Sequence, residues 1–374
     1  MSEINRNLLS VKYALRGEIA KRVEKLKETL HKDNLNGVRT LSFDRIINCN
    51  LGDPLQFDQK AITYLRQILS LMEYSAVLDG SKRDWLQQQF PLDVIQTAEE
   101  YHRNIPVGPY SNTKGVLYIR QLVASFIKVR DGGFPCDPEN IFLTNGASPA
   151  ISAVLQMLID QSNDAIMLPL PQYPLYSAQV TLLGGSIVYY QLGESSSWSL
   201  DIDELERAYQ KAIQSNFRVK ALVLINPGNP TGNHLTDTNL MDVADFCHRH
   251  KISLLADEVY QENVYYRPFK SMKKTLCEYM EYKKLSKSPI ELFSFHSVSK
   301  GFFGECGRRG GYVECFGLSL DKLDALYKLL SLNLCSNING QLSVAVMVNP
   351  PKEKTESFAL FQQEKKEILG IFYR

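Results

Sequence analysis

Six short apolar runs, at 140–144, 164–168, 186–190, 221–225, 252–256 and 291–295, recur through the middle of the chain with helical stretches between most of them. Each run is short and apolar, so it reads as a strand of a sheet covered on both faces. Helical patterns at 115–130, 148–160, 202–215 and 236–250 supply the covering layers. Alternation of this kind predicts a mainly parallel sheet with helices on both sides, a three-layer αβα fold. Such a sheet collects its ligand at the carboxyl ends of its strands. The N-terminal part is less regular: an amphipathic helix over 14–30, with Ile19, Val23, Leu26 and Leu30 on one face, a short strand over 45–51 ending at Gly52-Asp53-Pro54, and a helix over 60–74.

A chain of 374 residues is long enough for a large core and more than one domain. Lys plus Arg is 42 against 41 for Asp plus Glu, which gives no argument for a nucleic-acid partner. The seven cysteines are odd in number and irregularly spaced with no Cys-x-x-Cys pair, so neither a disulfide framework nor a zinc site is expected and a reducing compartment fits. Residues 1–30 carry charges throughout and hold no secretory signal, and no later segment is apolar for long enough to span a membrane. The expected location is cytoplasmic, with the mitochondrion left open. The lysine-rich stretch 267–288 reads as a solvated surface excursion.

Several strand ends carry residues with chemical capacity. Lys300 follows an apolar strand and the turn Ser297-Val298-Ser299, which holds its amine at a strand end rather than on a helix face. An amine held there and partly desolvated is a nucleophile near neutrality; the alternative is a solvated lysine. Asp257 ends the run ISLLAD, where an acid serves as a metal ligand, a helix cap or a partner for a ring nitrogen, and Tyr260 follows three residues on. Asn229 sits in the shaped loop INPGNPTG at 225–232, either offering its amide to a ligand or satisfying its own backbone. Gly146-Ala147-Ser148 leads a strand into a helix start, an anion site by its free N–H groups, with Ser148 alternatively only a cap. Tyr173, in Pro-Gln-Tyr-Pro, is either a ring to lay over a flat ligand or a turn aromatic. Arg309 is preceded by Gly304 and Gly307, which leaves the chain free to return the guanidinium to a phosphate; otherwise Arg308 and Arg309 are a solvated pair.

In this order, and over roughly residues 10–368, the set resembles the signature of class I aminotransferases of fold type I. In detail it is most similar to the alanine aminotransferases, on INPGNPTG, ADEVYQENVY at 256–265, PQYPLYSA at 171–178, FHSVSKGFFGECG at 295–307 and RDGGFPCDPENIFLTNGAS at 130–148. The resemblance implies pyridoxal 5′-phosphate, carried on Lys300 as a Schiff base, with Lys300 then moving the substrate proton. It implies that Asp257 keeps the pyridine nitrogen protonated, that Tyr260 and Asn229 contact the ring oxygen, and that Tyr173 stacks on the ring. Ala147, Ser148, Ser297 and Arg309 are then the phosphate residues, Gly52 lies in the loop that touches the substrate carboxylate, and Tyr110 reaches the phosphate of the neighbouring subunit in a homodimer. The implied reaction takes alanine and 2-oxoglutarate to pyruvate and glutamate.

The implied domains are an arm with part of a small domain at 1–55, a large cofactor-binding domain at 56–345, and the start of an incomplete small α/β domain at 346–374. Two departures stand out. Pro149 is less usual after Ser148, and from Gly370 to Arg374 the resemblance lapses, before the family's arginine for the substrate α-carboxylate is reached. The alternatives to alanine transamination are therefore a truncated product that binds cofactor or pairs without turnover, and an enzyme with a different amino donor.

Overall fold

The structure, a computed structural model, describes residues 4–13, 17–47, 52–57 and 59–373. Eight strands form one sheet: β1 Ile141–Thr144, β2 Asp164–Leu170, β3 Ser186–Gly193, β4 Ser199–Leu200, β5 Arg218–Ile225, β6 Ser253–Asp257, β7 Leu292–Ser297 and β8 Gly311–Phe316. Their spatial order is β1-β8-β7-β6-β5-β2-β3-β4. From β7 through β6, β5 and β2 to β3 the strands run parallel, β8 lies antiparallel between β1 and β7, and β4 closes the far edge antiparallel to β3.

Successive side chains on a strand face opposite ways, and the two faces of the sheet have separate cores. Ile166, Leu168, Ala221, Val223, Leu255, Phe293 and Phe295 pack on one side with the helix Ala147–Leu158. Ala165, Met167, Leu222, Leu224, Leu254 and Leu292 pack on the other with the helices Asp237–His250 and Met272–Lys283. A third core gathers the helices Thr63–Glu73, Leu92–Asn104, Leu117–Arg130 and Ile338–Val348. The last helix, Phe358–Tyr373, joins that core through Phe361 and Ile368, and its Glu364 accepts the Thr63 N–H at 3.0 Å. Among the described residues no helix is long and apolar enough to cross a membrane.

The three-layer architecture and six of the eight described strands, β1, β2, β3, β5, β6 and β7, agree with the sequence, whereas the edge strand β4 and the internal strand β8 were not expected. At the N-terminal end the agreement is weaker. A helix spans Glu18–Asn36, but Ile19 is 84% exposed and Val23, Leu26 and Leu30 are only half-buried among the described residues. Residues 45–47 are not in a strand, and 48–51, like 14–16 and Arg374, lie outside the described residues.

The lysine-rich segment is not a solvated excursion. It contains the helix Met272–Lys283, and Lys273 is fully buried, its amine donating to the buried carboxylate of Glu314. The Cys136 thiol also donates to Glu314, at 3.1 Å. Removing one partner of such a pair strands the other charge in the core, whereas an apolar pair of similar volume does not. Lys273→Met should therefore cost about 3–5 kcal/mol in urea unfolding, and Lys273→Met with Glu314→Leu should recover most of it.

Candidate functional site

The carboxyl ends of β5, β6 and β7 lie side by side. Asp257 is the last residue of β6, flanked across the ladder by Ile225 and Phe295. It is buried, and no helix begins after it, so it is not a cap. Its Oδ2 accepts the Tyr176 hydroxyl at 2.8 Å and its Oδ1 takes the Val259 N–H at 3.4 Å. Burial raises its pKa above the ordinary carboxylate value, against the Tyr176 bond, the Val259 bond and the charge of Lys300. Burial and Asp257 together push the Tyr176 phenol well up, which keeps its proton on oxygen and keeps it the donor.

Lys300 stands three residues beyond the end of β7. Its Nζ donates to the Gly52 carbonyl at 2.6 Å and lies 5.8 Å from the centre of the Tyr260 ring. The Tyr260 hydroxyl accepts the Asn229 side-chain N–H at 3.1 Å, so Asn229 does not spend its amide on its own loop. Burial is the main cause of a raised Tyr260 pKa, with the charge of Asp257 next.

On a third side the helix Ala147–Leu158 begins. Gly146, with φ +83°, is its cap residue and gives no side-chain hydrogen bond. Ser148 thus lies inside the first turn and is not the cap. The Arg309 guanidinium folds over this start: Nη2 donates to the Asn145 carbonyl at 3.0 Å and Nη1 to the Cys306 carbonyl at 3.0 Å. The positive φ requires glycine here, and a Cβ on Gly146, within 2.5 Å of Arg309 Nη2, would displace the guanidinium from the helix start. Ser297 Oγ lies 3.0 Å from Ser299 Oγ and accepts the Ser299 N–H at 3.1 Å. Free helix N–H groups, two hydroxyls and a guanidinium make a strong anion site.

One cavity of about 760 Å³ is lined by Gly52, Ala147, Ser148, Tyr173, Asn229, Asp257, Tyr260, Ser297, Lys300 and Arg309 together. A neighbouring cavity of about 670 Å³ shares Gly52, Asn229, Tyr260 and Lys300 and extends to Tyr265 and Ile368. Tyr110 is not brought to either cavity and is 79% exposed. Tyr176, Gln172 and Cys306 also line or support the site but were not singled out from the sequence, whereas both serines of the Ser297-Val298-Ser299 turn were read as phosphate donors. Tyr176 lies three residues after Tyr173, at the start of the helix Leu175–Leu182, a spacing that offered a signal.

A carboxyl group whose folded pKa lies above its unfolded value near 3.9 costs stability as pH rises through that window, because the native state must give up a proton it holds more tightly. Asp257→Asn should therefore raise the melting temperature of the ligand-free chain at about pH 7, and the gap should close as pH falls below about 4. Melting curves across that range check the sign; an unchanged or lowered melting temperature at neutral pH contradicts it.

Comparison with known proteins agrees with this geometry. A model described as aminotransferase class I and II matches residues 82–370. A probable mitochondrial alanine aminotransferase of Dictyostelium discoideum is 43% identical, over 98% of this chain and 68% of the relative. Alanine aminotransferase 1, mitochondrial, of Arabidopsis thaliana is 43% identical, over 100% of this chain and 68% of the relative. Among solved structures, an aminotransferase from Escherichia coli superposes with a TM-score of 0.71 at 22% identity, covering 94% of this chain and 72% of that one, a likeness of fold. The extent of the match and the degree of identity place the chain in the class I and II aminotransferase family.

Proposed function

We propose that the cavity holds pyridoxal 5′-phosphate and that the chain transfers the amino group of L-alanine to 2-oxoglutarate, yielding pyruvate and L-glutamate. The observation that carries this reading is the meeting of an amine, a buried carboxylate and an anion-binding helix start on three sides of one cavity. When bound, the cofactor supplies a protonated pyridine ring that withdraws electrons from the substrate carbanion.

The residues fit that group. Asp257 is buried with a hydroxyl and an amide on its oxygens, and a protonated ring nitrogen would bring a positive charge into direct contact with it. Ala147, Ser148, Ser297 and Arg309 would hold the phosphate. Tyr260 and Asn229 would face the ring oxygen, and Tyr173 would cover the ring. Lys300 Nζ is the base that takes the proton from the substrate Cα and returns it. The Gly52 carbonyl now accepts from that amine, so releasing Lys300 frees the loop we assign to the substrate carboxylate. We assign Tyr110 to the phosphate of a neighbouring subunit in a homodimer, a reading that its exposure away from its own cavity supports. The six described cysteines are free thiols, which supports a reducing compartment, cytoplasmic or mitochondrial. The similarity to alanine aminotransferases over nearly all of this chain supports alanine as donor.

Borohydride reduction of the cofactor-loaded chain followed by peptide mapping should label Lys300. Lys300→Ala should lower turnover of alanine with 2-oxoglutarate by about 10²–10⁴-fold or more, the range for loss of a positioned proton-transfer group. A label elsewhere, or no bound cofactor, sinks the cofactor assignment. Bound cofactor without alanine turnover sinks the assigned reaction, and a panel of other amino donors then separates changed specificity from loss of catalysis.

A further inference from the structure

We propose that Tyr13, which lies outside the cavity, is a positioning residue that fixes the ring of Tyr173 and so sets how tightly the chain holds pyridoxal phosphate. The inference rests on the cofactor reading above.

Tyr173 sits between the end of β2 and the helix Leu175–Leu182, with a proline immediately after it. Pro174 restricts the backbone but leaves the tyrosine's own side-chain torsions free. Among the described residues, the hydrogen-bond partner of the Tyr173 hydroxyl is the Tyr13 hydroxyl, 3.3 Å away. Both side chains are half-buried and pack against the same apolar cluster on the cofactor face of the sheet.

The segment that carries Tyr13 is itself docked. The turn of helix Arg6–Ser10 packs on the helix Leu175–Leu182, which begins two residues after Tyr173. At the far end of that helix, Asn7 lies against Gly184, where an added Cβ would come within 2.9 Å of Asn7 Nδ2. The N-terminal segment therefore grips the helix that follows Tyr173 and also holds the tip of the Tyr173 side chain. Tyr13 does not line the cavity, so it acts through Tyr173. A ring stacked on a flat ligand is sensitive to tilt and offset, and its outer hydroxyl is the lever that sets both.

The test is a titration of the ligand-free chain with pyridoxal phosphate, read by absorbance and by visible circular dichroism, on wild type, Tyr13→Phe, Tyr173→Phe and the double variant. Loss of one hydrogen bond should weaken cofactor binding about five-fold in Tyr13→Phe and alter the dichroism of the bound cofactor. The melting temperature of the ligand-free chain should stay unchanged. The double variant should bind no more weakly than Tyr173→Phe alone, because the two residues act as one unit. Wild-type affinity and dichroism in Tyr13→Phe overturn the inference, as does a loss confined to melting temperature, or losses that multiply in the double variant. Failure of the wild-type chain to bind overturns the cofactor reading together with this one, which separates the two outcomes.

Discussion

A carboxylate held away from water at the tip of β6 is the constraint around which the rest of the site is arranged. Asp257 lies between Ile225 and Phe295 on the neighbouring strands, so the sheet itself offers it no counter-charge. Tyr176 and one backbone N–H restrain it without neutralising it. Folding such a group in its charged form is unfavourable, and the cost persists until a cation arrives. Under the proposed reading, a positively charged ring beside Asp257 would offset part of that cost. The charge of Lys300 offsets part of that cost, while its amine donates to the Gly52 carbonyl.

Parallel topology explains why so few elements suffice. Consecutive parallel strands present their carboxyl ends at one edge, so the last residues of β5, β6 and β7 meet without long loops having to fold back. The helix Ala147–Leu158 packs against β7 and β8 and brings its amino end to the same edge. Arg309 is a left-handed residue with φ +54°, placed just before β8 turns back antiparallel beside β7. The antiparallel strand is what carries the guanidinium to the helix start: a parallel continuation would have left it at the opposite edge.

Much of this was legible in the sequence because strands and their exits leave local marks. Buried parallel strands are continuous apolar runs, and the residues at their ends stand beside Gly and Pro. That is why Lys300, Asp257, Asn229 and the Ala147-Ser148 helix start stand out in the sequence, and the structure brings them to one cavity. What was missed depends on distance in sequence. Strand β8, GYVECF, has a glutamate at its centre that breaks the apolar run, and only the buried Lys273 from another segment explains it. The same pairing defeated the surface reading of residues 267–288, since charge alone does not tell a solvated lysine from one with a buried partner. Tyr176 was not singled out because its partner is 81 positions away. The helix Glu18–Asn36 was found by its period, but period does not reveal what covers its apolar face.

Asp257 and Glu258 are adjacent acids that the pleat turns to opposite sides, and the protein treats them oppositely. Behind the sheet, Glu258 Oε1 accepts the Met272 N–H at 2.7 Å and its Oε2 lies 3.7 Å from Arg130 Nη1. Arg130 in turn is held by both oxygens of Asp131, which also takes the Ser271 hydroxyl. Burial still pushes Glu258 up to about 7, against the pull of Arg130, and pushes the nearby His296 down to about 3. His296 is therefore neutral, and the positive charge of this layer resides on Arg130 and Lys273. Glu258 thus has its cation built in, and through it the tip of β6 is fastened to the ends of two helices. A strand end fixed from behind in this way can hold the other acid in a desolvated position without yielding toward water. Burial raises both carboxylates, but Glu258 meets Arg130 behind the sheet whereas Asp257 faces the cavity, with the Lys300 charge as the cationic influence on it.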